Sequence, residues 1–141
     1  MKLTKARSLF GILIGAVCIV LVCYSLIDFI PPRDMTATRM HGVRYRVQTY
    51  AVLHDKLPES IEGLPERPGY DSSHLDGWRR PIQYQTRPDG IVTLTSLGHD
   101  GMPGGSGDDA DIIRSYRSRS PDGTWADVFT DWSEDSLAHR P

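Results

Sequence analysis

The sequence predicts an α+β domain that follows a single N-terminal membrane-spanning helix. Three observations support this fold class: an apolar run near the N-terminus, one amphipathic stretch with helical spacing, and two β-rich segments joined by a turn signal. The domain is expected to be one amphipathic helix packed on a small antiparallel sheet. The predicted boundaries are 1–8 for a cytoplasmic N-terminus, 9–30 for the transmembrane helix, 33–117 for the α+β domain and 118–141 for a C-terminal tail.

The apolar run covers residues 9–27 and is closed by Pro31 and Pro32. About 20 apolar residues match a hydrocarbon core of about 30 Å, and a helix is the form in which a single segment satisfies its backbone in lipid. No small-x-small cleavage site follows the run, which favours an uncleaved anchor over a long signal peptide. The basic residues that precede the run place the N-terminus in the cytoplasm and the domain outside; they are Lys2, Lys5 and Arg7.

Beyond residue 32 the chain is polar and mildly acidic, with 13 Lys/Arg against 17 Asp/Glu, a net charge of −4. This charge argues against a nucleic-acid partner, because phosphate binding requires a basic face. Both cysteines, Cys18 and Cys23, lie in the apolar run, so no disulfide is expected to stabilise the exported domain. A bound metal is one candidate for the stabilisation that a disulfide would otherwise provide.

Residues 34–54 are predicted to form the amphipathic helix, capped at its start by Asp34 or Thr36. Spacings of three and four place its apolar side chains on one core-facing stripe. That stripe consists of Thr36, Met40, Val43, Val47, Tyr50 and Ala51. Four polar residues are expected to lie mostly off the stripe: Arg39, Arg44, Arg46 and Gln48.

After the helix, residues 60–64 are expected to form a turn and residues 65–76 a surface loop. Alternating or β-branched residues at 81–85 and 91–95 flank the sequence Arg87-Pro88-Asp89-Gly90, which predicts a β-hairpin. A third short strand is expected at 111–116. Four apolar residues are expected to dock the tail on the domain: Trp125, Val128, Phe129 and Trp132.

Residues 96–112, here called the Asp/Gly loop, contain four aspartates and five glycines. Calcium takes six to eight oxygen ligands, and glycines allow a chain to fold tightly enough for separate oxygens to converge. The loop does not follow the EF-hand register, and it lacks the Cys/His set of a zinc site. Its composition leaves two interpretations open: a calcium loop and a solvated acidic turn.

Three segments occur in a fixed order along the soluble part. They are Leu57-Pro58 through Leu64, then Asp76-Gly77-Trp78-Arg79-Arg80-Pro81-Ile82-Gln83-Tyr84, then the Asp/Gly loop from Ser96-Leu97-Gly98-His99-Asp100-Gly101 to Asp109-Ala110-Asp111-Ile112. This order resembles the soluble domain of the major, G-type pseudopilins of type II secretion systems. The third segment is long and specific, the second is moderately specific, and the resemblance covers about residues 36–113.

The resemblance implies a pseudopilin-like fold with a calcium ion in the Asp/Gly loop. By position, Asp100, Asp109 and Asp111 match the acidic positions of the family. The Leu97 carbonyl and Ser106 are expected to add oxygens, and Asp108 is an extra carboxylate. The resemblance also implies a structural protein anchored in a bacterial inner membrane, with a periplasmic domain. Its expected partners are the membrane and other pseudopilins or envelope proteins of the secretion system, and a homo-oligomer is a further expectation.

The N-terminal prepilin motif is atypical. Gly11 precedes Ile12, and Ala16 stands where the family has a glutamate. Pro31 and Pro32 also divide a helix that family members continue into the soluble domain. These departures concern leader cleavage and polymerisation. Within the domain, Arg79 and His99 replace the glycine and the alanine of the family pattern, and the fold and the loop are otherwise expected to follow the family.

The alternative function is a membrane-tethered binding module that does not polymerise. It would present Trp125, Phe129 and Trp132, or the loop at 65–76, to another envelope protein. An enzyme is not expected, because the sequence lacks a hydrolase elbow, a phosphate-loop lysine and an HExxH pair.

Overall fold

The computed structural model describes residues 15, 17, 18, 30–127 and 132. The chain divides into two units, Met1–Ile30 and Pro31–Pro141, and the fold described below is that of the second. No helix built from the described residues is both long enough and apolar enough to cross a membrane. The predicted transmembrane helix at 9–30 lies outside the described residues except at positions 15, 17, 18 and 30. The predicted docking residues Val128 and Phe129 also lie outside them.

Helix α1 spans Pro32–His54, with Pro31 as its N-cap residue and Asp55, at φ 52°, as its C-cap. Proline suits the first turn of a helix because the amide that it lacks would have no partner there. The predicted cap at Asp34 or Thr36 is wrong: no side chain within the described residues caps the helix start. The hydroxyl of Thr36 instead donates to the Pro32 carbonyl at 2.7 Å and accepts the Gly77 amide at 2.8 Å.

The described residues form one antiparallel sheet of three strands, β1 (Gln83–Thr86), β2 (Ile91–Ser96) and β3 (Ile112–Arg117), in the order β1-β2-β3. The turn between β1 and β2 closes through the Gly90 amide and the Arg87 carbonyl at 3.0 Å, with Gly90 at φ 80°. This confirms the predicted hairpin and third strand. The α+β class is likewise confirmed.

The hydrophobic core lies between one face of α1 and the sheet. Side chains alternate along the central strand β2, so Val92 and Leu94 are fully buried on the helix side. The predicted stripe on α1 is confirmed, with Tyr50 only half-buried. The buried core residues are Met40, Val43, Val47, Ile61, Leu64, Ile82, Val92, Leu94, Ile112 and Tyr116.

The expectation that the polar residues of α1 lie away from the buried stripe is wrong for three of them: Arg44, Arg46 and Gln48 are all buried. The guanidinium of Arg46 is buried because it donates to the backbone carbonyls of the segment that follows α1. Its acceptors are the carbonyls of Leu64, Pro65 and Ser72. Hydrogen bonds to carbonyls offset the cost of burying a polar group, and spacing along a helix does not reveal them.

A small extension after β3 packs against the helix end. Gln48 Nε2 donates to the carbonyls of Ser118 and Ala126 at 2.9 and 2.6 Å. Trp125 Nε1 donates to Asp55 Oδ1 at 3.0 Å. The predicted docking of Trp125 on the domain is therefore confirmed.

Trp132 packs beside the core. Its ring meets Tyr116 edge-on at 5.7 Å, and its Nε1 donates to His41 Nε2 at 3.0 Å. Burial, followed by the charges of Arg44 and Arg114, lowers the pKa of His41. A neutral imidazole is the form that accepts the tryptophan hydrogen bond. The predicted docking of Trp132 is confirmed.

The start of α1 lies against the turn at 76–80. A Cβ atom on Gly77 would lie 2.0 Å from the Pro32 carbonyl oxygen. Such an approach is possible only for glycine, because both sides of the contact are backbone.

We therefore expect Gly77→Ala to destabilise the domain by about 2 kcal/mol or more, because the helix start must move. Gly63→Ala is the matched control, since a Cβ there meets nothing within 4 Å. Urea unfolding of the full-length chain in detergent micelles measures both free energies. Equal stability of the two variants would contradict this packing.

Candidate metal centre

The Asp/Gly loop begins and ends at paired residues of adjacent strands, Ser96 on β2 and Ile112 on β3. Its interior is closed by backbone hydrogen bonds. The His99 amide donates to the Asp108 carbonyl at 2.8 Å, and the Asp111 amide donates to the Gly104 carbonyl at 3.1 Å. A short 3₁₀ helix, Gly107–Asp109, lies between these closures. The loop therefore has a defined backbone despite its polar composition.

Two glycines allow the arms of the loop to pack on the backbone of Asp109. Cβ atoms on Gly98 and Gly105 would lie 2.6 and 2.5 Å from the Asp109 carbonyl oxygen. Both glycines also have positive φ, at 66° and 79°. A side chain at either position would thus clash with backbone and strain its own residue.

Two arginines from outside the loop bind its carbonyls. Arg33, in the first turn of α1, donates through Nη1 to the carbonyls of Gly107 and Ala110 at 2.5 and 3.3 Å. Arg80 donates through Nη1 to the Gly98 carbonyl at 3.1 Å. Its Nε lies 2.7 Å from the position that a Cβ on Gly101 would occupy. The loop is thus held from the helix and from the turn before β1.

A buried carboxylate fixes the point at which the loop leaves β2. Asp76 is fully buried. Its Oδ1 accepts the amides of Trp78 and Arg80 at 2.9 Å, and its Oδ2 accepts the Ser96 hydroxyl at 2.7 Å. Its carbonyl accepts Arg39 Nη1 at 2.7 Å. Three donors satisfy the carboxylate, as burial of a charged group requires.

Three of the four aspartates predicted as ligands have contacts within the loop. Asp100 Oδ1 accepts the amide two residues further on at 2.9 Å. Asp109 Oδ1 lies 3.1 Å from His99 Nδ1, and Asp111 Oδ2 accepts the Gly104 amide at 3.1 Å. Across the part of the chain that the structure describes, no three His, Cys, Asp or Glu side chains converge as a metal site.

The remaining predicted ligands sit on the same loop. Ser106 and Asp108 are exposed, and Leu97 is half-buried directly after β2. Backbone contacts bring the segment 106–111 against residues 98–99 and 104–105. Among the described residues, the side-chain hydrogen bond of Asp100 is to the Met102 amide, within its own turn. The six-residue ligand set stays a prediction.

One oxygen of the set fits a hard cation directly. Asp111 Oδ1 is buried and finds no hydrogen-bond partner among the described residues. An unpaired buried carboxylate oxygen costs free energy that a bound cation offsets. The donors of the loop are oxygens, which calcium prefers. The residues therefore fit calcium by donor chemistry and by this one desolvated oxygen.

Sequence reasoning missed the three residues that position the loop: Arg33, Arg80 and Asp76. Asp76 and Arg80 lie in a segment that the resemblance had marked, but the residues at the loop that they contact, Ser96 and Gly98, are distant in sequence. Arg33 is separated from its acceptors by more than seventy residues. Only the packing of α1 against the loop reveals this contact.

A family model described as type II secretion system (T2SS), protein G, matches residues 33–115, more than half of the chain. The chain belongs to the type II secretion system protein G family. The resemblance seen in its motifs is thereby confirmed. It is also 35% identical over 90 residues to the type II secretion system core protein G of Xanthomonas campestris pv. campestris. That alignment covers 56% of this chain and 63% of the relative.

The region shared with the protein G family begins at Arg33 and ends within β3. It includes helix α1 from its second residue onward, the buried Asp76, the hairpin and the whole Asp/Gly loop. Every residue predicted as a calcium ligand lies within it, as do both arginines that bind the loop. The candidate site is thus part of the family domain.

Proposed function

We propose that this member of the protein G family is a membrane-anchored structural component of a type II secretion or related pilus-like system, stabilised by calcium. Family membership supports the secretion role. The buried, unpartnered Asp111 Oδ1 in a tightly held oxygen-rich loop carries the calcium part of the proposal. The protein acts as a pseudopilin and not as an enzyme.

The apolar run at 9–27 supports a single-pass anchor in a bacterial inner membrane. The basic residues before it favour a cytoplasmic N-terminus and a periplasmic domain. The partners are other pseudopilins or envelope proteins of the secretion system, including further copies of this chain.

Calcium supplies a divalent charge that draws together oxygens which otherwise repel one another. The residues that would hold it are Leu97 through its carbonyl, Ser106, Asp100, Asp108, Asp109 and Asp111. Binding to the folded state alone stabilises it by RT ln(1 + [Ca]/Kd), about 2.7 kcal/mol at a hundredfold excess over Kd. This is a large share of the stability of a small domain without disulfides.

Thermal melts of the full-length chain in detergent micelles test the calcium site. With calcium in excess, the domain should melt several degrees higher than in chelator, because only the folded loop binds the ion. Magnesium should give a smaller shift, since it demands tighter octahedral geometry.

Asp100→Ala should remove most of the calcium-dependent shift. Asp89→Ala is its matched control, because both aspartates accept the amide two residues further on, at 2.9 and 3.2 Å. Asp89 lies in the hairpin turn, away from the loop. Equal melting temperatures of the unaltered protein in calcium and in chelator would rule out the calcium site.

A second candidate function, the binding module, is favoured by a cleft between α1 and the segment at 65–72. The cleft encloses about 340 Å³. In it the Arg67 guanidinium stacks between the rings of Tyr45 and Tyr70, at 4.0 and 3.6 Å from their centroids. Tyr70 is 63% exposed. Arginine and tyrosine are residue types that dominate binding interfaces.

The wall of this cleft is held in place by the helix. Arg39 pairs with Asp71 at 2.8 Å, and its hydrogen bond lowers the pKa of that carboxyl. Trp125 and Trp132 contact their own domain instead. A binding module would therefore present the loop at 65–76, and not the tryptophans, to its partner.

Co-expression with a prepilin peptidase separates the two functions. For a filament subunit we expect a mobility shift on gels that Gly11→Leu abolishes, because the peptidase cuts after this glycine. Unprocessed protein that remains in the membrane would contradict the filament role and favour the binding module.

A further inference from the structure

The contact between Arg33 and the Asp/Gly loop joins two parts of the domain that the sequence keeps far apart. Arg33 lies in the first turn of α1, directly after Pro31 and Pro32. Its guanidinium bridges the carbonyls of Gly107 and Ala110, which enclose the 3₁₀ turn. That turn carries Asp108 and Asp109, and Asp111 follows it.

The same pair of hydrogen bonds also holds the backbone of the turn that carries Asp108 and Asp109. The Ala110 amide donates to the Gly107 carbonyl at 3.3 Å, so the two acceptors of Arg33 also belong to one turn. The Asp109 carbonyl is then held between Gly98 and Gly105. Restraining this turn reduces the entropy lost when its oxygens converge on an ion.

Arg33 also brings a positive charge near a site for a cation, and this effect opposes the first. Gly107 and Asp108 are exposed, so solvent and salt screen that repulsion. The hydrogen bonds are direct contacts and are not screened in the same way. The two effects have opposite signs, so a measurement of affinity distinguishes them.

The start of α1 is also attached to the turn at 76–80. Thr36 accepts the Gly77 amide, and Pro32 abuts Gly77. The first helical turn is therefore held by the turn at 76–80 and, through Arg33, by the Asp/Gly loop. The second of these attachments contacts the candidate ion site directly, and the first reaches the loop through Arg80.

We propose that Arg33 is a positioning residue for the calcium site, and that it couples occupancy of the Asp/Gly loop to the start of helix α1. This inference rests on the proposed calcium site. Because coupling is reciprocal, the factor by which Arg33 tightens calcium binding is the factor by which calcium tightens the Arg33 contact. Calcium thus acts on the end of the domain that follows the apolar run.

Calorimetric titration of the full-length chain in detergent micelles with calcium chloride tests the proposal. Arg33→Gln should weaken calcium binding about tenfold, as loss of a residue that orients metal ligands commonly does. Arg33→Lys should fall between, because both hydrogen bonds come from one nitrogen of a planar guanidinium, whereas the ammonium of lysine is a point charge without that preset direction. Arg87→Gln should bind as the unaltered protein does; it removes an equal charge from the hairpin turn, where Arg87 pairs with Asp89 at 2.9 Å.

Melting temperatures in calcium and in chelator separate positioning from a purely structural role. Positioning predicts that Arg33→Gln shrinks the difference between the two melts, whereas a structural role lowers both melts equally. Calcium binding by Arg33→Gln that is as tight as in the unaltered protein or tighter, with a calcium shift that is equal or larger, would overturn the inference alone. If the unaltered protein binds no calcium, the proposed calcium site fails and the inference fails with it. If Arg33→Gln does not fold, the Arg33→Lys titration decides: affinity equal to the unaltered protein overturns the proposal.

Discussion

The buried carboxylate of Asp76 is the constraint on which the rest of the domain depends. A charged group without access to water must be fully hydrogen-bonded, and three donors from two chain segments meet this need. Satisfying it sets the turn at 76–80 and the end of β2 in one arrangement. That arrangement brings Gly77 against the start of α1 and Arg80 against the Asp/Gly loop. Helix, sheet and loop thus share one polar junction, while the apolar core between α1 and the sheet supplies the hydrophobic contribution.

The Asp/Gly loop is held by contacts from α1 and from the turn at 76–80. Arginines from α1 and from the turn bind its carbonyls, and its glycines admit backbone contacts that no other residue allows. Backbone contacts therefore determine the shape of the loop. Its aspartates make hydrogen bonds within the loop, and one oxygen of Asp111 has no partner among the described residues. In such a cation site, the backbone of the loop is already held in place by protein contacts before the ion binds. The proposed role of calcium is to stabilise that scaffold, not to create it.

Much of the fold could be predicted from the sequence because its signals are local. Spacings of three and four residues gave the buried stripe of α1, and Arg87-Pro88-Asp89-Gly90 between β-branched runs gave the hairpin. Local sequence patterns did not predict contacts in which the two hydrogen-bond partners are far apart in the sequence. Arg46 and Gln48 were expected on the surface, yet both are buried because their side chains donate hydrogen bonds to backbone carbonyls further along the chain. The Asp/Gly loop was recognised by composition and by the family motif, but the arginines that hold it were not, since charge spacing carries no record of tertiary contacts.

Hydrogen–deuterium exchange of the full-length chain in detergent micelles, with calcium and with chelator, tests whether the Asp/Gly loop binds the ion. Calcium should slow exchange at the amides that close the Asp/Gly loop, those of His99, Gly104 and Asp111. The hairpin-turn amides of Gly90 and Ile91 should exchange at the same rate in both conditions. Identical exchange throughout the Asp/Gly loop with and without calcium would show that the loop does not bind the ion.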